Sequence, residues 1–328
     1  MGAIEDRRAL SDKRLEALKG RLSTAKGLTA GKACVYATGS FARGEASKFS
    51  DLDLFIAGKT EVETGRRLLS RLDEICVKAE LIQANKDLNI QEFSGDGEYL
   101  VHYTTHELVG SLGHPRDDAN NTFTARLLLL LESTPLLGDD TYRGVVDDVI
   151  EAYWRDYPDH QTEFVPAFLA NDILRLWRTF CVNYEARTSV ESAEKKAKRR
   201  LKNYKLKHSR MLTCYSGLLQ LLAAFGRQGT VHPDDVREMV FLTPTKRLEG
   251  LKAQDASLTK EVDALLEQYA TFLAHTDADE ATMNLRFIDR NFARARLGEA
   301  GTFGDKVFAL LQAVGQGKAQ RFYRLLVV

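Results

Sequence analysis

The sequence has no net charge: 46 Lys and Arg stand against 46 Asp and Glu in 328 residues. A chain so balanced is not a generally basic nucleic-acid binder, and any anion-binding function must come from local clustering. Cysteine is scarce as well. Cys34, Cys76, Cys181 and Cys214 lie far apart with no C-x-x-C pair, which fits reduced thiols and offers no zinc framework. Long hydrophobic runs are missing. The longest unbroken aliphatic stretch runs from Leu127 to Leu131, between Arg126 and Glu132, far short of the ~20 residues that span a bilayer. The opening residues, Met1 to Arg8, lead straight into charged sequence without the apolar stretch of a secretory signal. These absences predict a cytoplasmic protein with no membrane association. There is no internal repeat and no low-complexity linker, and a composition of 44% hydrophobic and 28% charged residues excludes disordered and collagen-like classes.

What is present divides in two, as the length suggests at ~100–200 residues per domain. Residues 5–24 read as an amphipathic helix with Leu10, Leu15, Leu18 and Leu22 on one side, a lid or a prop. Residues 33–38 and 51–57 are β-type runs, residues 61–83 have helical periodicity, and residues 88–93 and 99–104 read as two further short strands. From about residue 119 the β signals fade, and segments 119–133, 142–156, 164–186, 205–226 and 255–274 carry apolar helical stripes. A short β-like tail, residues 322–328, closes the chain. The expected class is α+β: a small N-terminal sheet with helices over residues 1–115, then a larger all-helical domain over residues 116–328. Gly113 and Pro115 mark the boundary.

The chemistry concentrates in Gly39-Ser-Phe-Ala-Arg-Gly-Glu-Ala-Ser-Lys-Phe-Ser-Asp-Leu-Asp-Leu-Phe-Ile. Alternate strand residues share a face, so Asp51 and Asp53 project together while Leu52 and Leu54 turn to the core. Two neighbouring carboxylates repel unless a cation lies between them, and Mg²⁺, which takes oxygen ligands and completes its shell with substrate phosphates, is the natural candidate. Gly39-Ser40 falls where a strand ends. A glycine there lets a phosphate approach the backbone, Ser40 adds a hydroxyl donor, Arg43 is placed to reach a phosphate oxygen, and Gly44 permits the return turn.

This pattern, G-S-x-x-R-G-E followed by S-D-L-D-L, resembles the DNA polymerase β-like nucleotidyltransferase superfamily. The arginine-containing form with a helical half looks most like the bacterial branch that includes the uridylyltransferase of nitrogen signalling. The resemblance implies that Gly39 and Ser40 hold the triphosphate of an NTP such as ATP. It also implies that Asp51 and Asp53 bind two Mg²⁺ ions, for which Mn²⁺ can substitute, with a third carboxylate on a nearby strand. Glu92, Asp96 and Glu98 are the candidates for that carboxylate. Asp96 is favoured because it sits at a Gly-flanked turn, whereas Glu92 has the strand parity of Leu88 and Ile90 and would point to the core.

A second cluster lies between Lys195 and Arg210, where nine Lys or Arg occur with no acid. Lys198, Lys202, Lys205 and Ser209 are spaced to share one helical face. The superfamily's helical half usually supplies a Lys and a Ser or Thr to the β and γ phosphates, which by resemblance makes Lys205 and Ser209 the candidates. A solvated helix face or a nucleic-acid contact is the other reading of the run. The expected activity is transfer of a nucleoside monophosphate from an NTP to a hydroxyl on a protein, an RNA or a small molecule, with release of pyrophosphate. The alternative is a non-catalytic module that senses nucleotides or docks a partner. The sequence does not fix an oligomeric state.

Overall fold

The computed structural model describes residues 2–61, 63–93, 100–185 and 192–327. The chain divides into two compact units, one of residues 4–155 and the other of residues 156–328 with residues 1–3. The expected boundary at 115/116 therefore falls inside the first unit. The reason is a strand that the sequence did not signal, residues 134–137, which returns to pair with the strand at 33–38.

The first unit is built on four strands: β1 (Ala33–Thr38), β2 (Asp53–Gly58), β3 (His102–Thr104) and β4 (Thr134–Leu137), in the order β3-β2-β1-β4. β1 pairs antiparallel with β2 and β4, and β2 pairs parallel with β3. The parallel pair needs a crossover, supplied by α4 (Arg71–Asp87). α1 (Gly2–Lys19), α2 (Ser23–Thr29) and α4 cover one face of the sheet. Leu15, Leu18, Val77 and Leu81 pack there with Val35, Leu54 and Ile56. On the other face, Tyr36 stacks on Phe55 at 5.7 Å and meets Tyr142 of α8 (Asp139–Tyr153) at 5.9 Å. Burial on both faces explains why all six residues of β1 are enclosed and why its sequence does not alternate. β4 is an edge strand, so Pro135 is tolerated in it.

Three expected elements differ. The helix expected over 61–83 begins only at Arg71, where the Ser70 hydroxyl accepts the Asp73 N–H at 3.1 Å. Residues 59–61 and 66–68 instead fold back on each other as a hairpin, with Gly65 at φ +67° and Thr60 bridged to Arg67. Residues 88–93 make no strand beyond a single parallel bridge between Gln91 and Asp51. The terminal β-like tail is helix α17 (Gln320–Leu325), with Phe322 buried against Phe225. A strand needs a partner, and no strand is found among the described residues of that unit.

Between β3 and α8 the first unit adds α5 (Thr105–Gly110), α6 (Arg116–Ala119) and α7 (Thr122–Leu131), which is apolar but for Thr122, Thr124 and Arg126. The second unit is helical: α9 (Ala167–Glu185), α10 (Ala193–Lys205), α11 (Met211–Gln228), α12 (Pro233–Val240), α13 (Pro244–Gln254), α14 (Thr259–His275), α15 (Glu280–Ile288), α16 (Arg290–Val314) and α17. A π-helical segment, Leu206–Arg210, joins α10 to α11. Among the described residues no helix is long and apolar enough to cross a membrane.

Candidate functional site

β1 ends at Thr38, which pairs with Asp53 at the start of β2. At Gly39 the chain turns with φ +66° into the short helix α3 (Gly39–Ala42). A Cβ on Gly39 would lie 2.5 Å from Asp53 Oδ2. Only glycine fits, for its backbone angle and for the carboxylate that comes against it. The turn and the strand carboxylate are thus in direct juxtaposition, with Ser40 half-buried beside them.

Leu52 and Leu54 are buried in the core, while Asp51, in an isolated bridge just before β2, and Asp53, at the start of β2, are both half-exposed. Their four oxygens are a hard donor set of the kind a divalent cation takes. Asp96 and Glu98 lie outside the described residues. Glu92 does not point to the core as strand parity would have it. It is exposed, because residues 88–93 are not a regular strand, and its neighbour Gln91 bridges Asp51. No group of three His, Cys, Asp or Glu able to hold a metal occurs among the described residues.

Arg43 has a different task from the one expected. It is 7% exposed, and its guanidinium lies 2.8 Å from Glu45 and 2.8 Å from Glu132. Two buried carboxylates more than match its charge, and through them it is the post that fixes the turn. Glu132 completes the arrangement, since its Oε1 accepts the Gly39 N–H at 3.3 Å while its Oε2 holds Arg43. The loop beyond is tied to α1. The Ser11 hydroxyl accepts the Ala46 N–H at 2.9 Å, Arg14 donates to the Ser47 carbonyl, and the Arg14 guanidinium lies 5.0 Å from the Phe41 ring centre. Of the two readings of the first helix, prop describes it.

Sequence reasoning missed Glu132, Ser11 and Arg14. For Glu132 one signal existed: a lone carboxylate closing the apolar run of α7, immediately before a chain turn, is an unusual residue to bury without a cationic partner. Under the same sheet, burial pushes the Cys34 thiol up to about 12 and the Tyr36 hydroxyl well above its ordinary value, so both stay neutral and structural.

The two candidates from the basic run belong to the helical unit and do not share a face. Lys205 is exposed, whereas Ser209 is buried and accepts a hydrogen bond from the Tyr269 hydroxyl at 3.2 Å. The π-helical turn at 206–210 is the cause. Its wider turn breaks the 3.6-residue period between the two positions and rotates Ser209 into the core. Ser209 is therefore a packing residue. Lys198 pairs with Glu280 at 2.8 Å.

Comparison with curated proteins and with solved structures returned no match. Residues 15–95, about a quarter of the chain, do match a family model; the stretch holds Gly39, Ser40, Asp51 and Asp53, stops one residue short of Asp96, and is that of a nucleotidyltransferase domain.

Proposed function

We propose that the sheet unit is a Mg²⁺-dependent enzyme that transfers a nucleoside monophosphate from an NTP to a hydroxyl acceptor and releases pyrophosphate. The observation that carries this reading is the contact between Gly39 and Asp53. A backbone turn without a side chain, suited to a phosphate, lies directly against a carboxylate suited to a cation. Asp51 and Asp53 would hold the metal, with substrate oxygens and a third carboxylate completing its shell, and Asp96 or Glu92 is the candidate for the third. Bound there, a divalent cation neutralises charge on the triphosphate and lowers the pKa of an acceptor hydroxyl.

This chain's own residues position the reactants. Gly39, its own N–H taken by Glu132, keeps a Cβ out of the way of a phosphate at the turn, and the Ser40 hydroxyl donates to a phosphate oxygen. Glu132 and Arg43 hold the turn rigid through buried contacts. Catalysis then rests on orientation and preorganised charge rather than on a covalent nucleophile. The arginine form of the motif and the helical unit that follows support a place near the uridylyltransferase-like bacterial branch, so a protein hydroxyl is the first acceptor to try, ahead of RNA and small molecules. A cytoplasmic setting, rich in NTP and Mg²⁺, suits such an enzyme.

The deciding experiment incubates the chain with each labelled NTP, Mg²⁺ and cell extract, and follows pyrophosphate release together with label in protein, RNA and small-molecule fractions. Transfer that is lost in Asp53→Asn is the expected result. NTP that binds and remains intact in every fraction would replace the enzyme reading with that of a nucleotide sensor.

A further inference from the structure

Away from Asp53, α4 presents a second surface. Its inner face, Val77, Leu81 and Ala84, is buried in the core. On its outer face Leu72 is 75% exposed, Ile75 54% and Ile82 39%, and Leu68, just before the helix, is 41% exposed. These are four of the five large exposed hydrophobic side chains among the described residues of the sheet unit. Such concentration marks an interaction surface rather than scatter. With Ala79 the helical residues follow a 3-4-3 spacing, the seam of a helix that packs against another helix.

A groove of about 950 Å³ opens beside the first turns of α4, walled on its other side by the hairpin of residues 59–61 and 66–68. Its lining carries four cations, Arg66, Arg67, Arg71 and Lys78, against two carboxylates, Glu61 and Glu74. Glu74 is already shared, taking Lys78 at 2.6 Å and His102 at 2.9 Å. Arg67 in turn reaches Glu107 at 3.3 Å, so the positive charge of the groove rests on Arg66 and Arg71, beside an uncovered apolar seam.

We propose that this surface docks an acidic amphipathic helix of a partner protein, its apolar side chains on Leu72, Ile75 and Ile82 and its carboxylates toward Arg66 and Arg71. Charge complementarity selects this occupant. A second copy of the chain does not supply it. An antiparallel pairing of two α4 seams sets Arg71 and Lys78 against each other's copies, and a parallel one sets them against Cys76 and Gln83, which carry no charge. A small anion would use the groove but leave uncovered a seam that runs ~15 Å along the helix, ten residues at 1.5 Å each. Arginine beside exposed Leu and Ile is the composition of an interface core with a charged rim. The groove itself opens beside the chain that leaves β2 at Gly58, whereas Asp53 of the motif begins that strand, ~17 Å away. The inference does not depend on nucleotidyl transfer.

The test uses two labelled helical peptides with the same Leu/Ile seam, one flanked by Glu and the other by Lys, titrated with the full chain in fluorescence anisotropy over a salt series. The Glu peptide should bind at least ~10-fold tighter than the Lys peptide, with an affinity that falls as salt rises. Ile75→Glu should abolish that binding while thermal unfolding and NTP turnover stay unchanged. The pair Arg66→Glu and Arg71→Glu should reverse the preference to the Lys peptide. Absence of binding by the Glu peptide, equal affinity for both peptides, or a preference unmoved by the reversal would overturn the proposal. So would a chain dimer that Ile75→Glu dissolves, which would make the occupant a second copy. Displacement of the Glu peptide by inorganic pyrophosphate with no effect of Ile75→Glu would reduce the surface to an anion pocket and also overturn it.

Discussion

The two units bury polar groups in different ways. In the sheet unit ionised groups go inside in matched sets: Arg43 with Glu45 and Glu132, and Arg126 with Asp117 at 2.5 Å. Burial works to raise the Asp117 carboxyl, but the hydrogen bonds from Arg126 and Thr122 outweigh it and hold the group below its usual range. The helical unit also encloses a charge, Arg247, whose guanidinium donates to the Met239 carbonyl at 3.0 Å and the Ser216 hydroxyl at 3.3 Å, but its aromatic cluster is filled by neutral groups, with His208, Tyr204 and Tyr269 packed among Phe272, Phe287 and Phe303. His208 stacks on Phe272 at 4.5 Å, and burial drives its imidazole down to about 4. Fixed charge inside the sheet unit costs desolvation, which a fold retains where it needs a rigid and polar feature. That feature is the Gly39 turn.

The strongest way to break this comparison is to remove the post. Arg43→Ala would leave Glu45 and Glu132 buried without their cation, and breaking a buried pair in this way costs about 3–5 kcal/mol. Urea denaturation should show that loss in the unfolding of the sheet unit. If Arg43 were instead a phosphate ligand, NTP affinity would fall while stability held, and the contrast between the units would lose its basis.

Next comes the chemistry that the post serves. Asp53→Asn, and equally Asp51→Asn, should cut turnover by at least ~10²-fold, because charge stabilisation through a metal is worth several kcal/mol. Circular dichroism should show both variants folded, since both side chains are half-exposed. Gly39→Val should weaken NTP binding measured by calorimetry more than Ser40→Ala does. It forces a side chain into a positive φ and into the place of the Asp53 carboxylate. Near-normal turnover in both Asn variants would move the site elsewhere.

How far the sequence reveals all this depends on the range of each interaction. Gly39, Ser40, Asp51 and Asp53 lie close together in the chain, and their placement follows from one strand end and one strand parity, so a local pattern suffices. Glu132 is 93 residues from Gly39. No local pattern connects them, and the same distance hides the pairing of β4 with β1 that moves the unit boundary to 155/156. The expected helix over 61–70 failed for another reason: its apolar spacing is real, but Gly65 and the Ser70 cap act at specific backbone positions that periodicity does not register. At Ser209 the helix itself is correct and only its phase is wrong, because a π-turn leaves no compositional mark.

The comparison also has a signature in pH. An imidazole ordinarily titrates near 6.5 when unfolded, while desolvation makes folded His208 resist protonation down to about 4, with His275 adding a smaller effect in the same direction and the hydrogen bond to the Tyr204 carbonyl at 2.9 Å opposing it. Above pH ~6.5 neither state is charged and the stability is fully present. As pH falls from there toward about 4 the unfolded chain binds a proton that the folded one refuses, so stability drops by at most ~1.4 kcal/mol per pH unit. Denaturation midpoints of the native chain and of His208→Phe, taken across that window, should diverge as pH falls, the variant losing less. Parallel curves would mean that His208 takes up its proton without unfolding, and the aromatic cluster would then tolerate a buried charge.

The smallest effect tests whether surface charge in the helical unit matters to the contrast at all. Lys198 and Glu280 meet at 2.8 Å, but their side chains are 52% and 60% exposed. Water and counter-ions screen such a pair, and holding two long side chains together opposes the gain, so its contribution should be about 0–1 kcal/mol. Lys198 holds the Glu280 carboxyl below its usual range mainly through their hydrogen bond, with Lys205 adding charge of the same sign, so removing one lysine leaves the carboxylate still facing a cation. Lys198→Ala should therefore shift the thermal midpoint very little at low salt and not at all at about 1 M, where screening acts within ~3 Å. A large, salt-resistant loss would show that α10 and α15 are held together by charge rather than by the packing of their apolar faces.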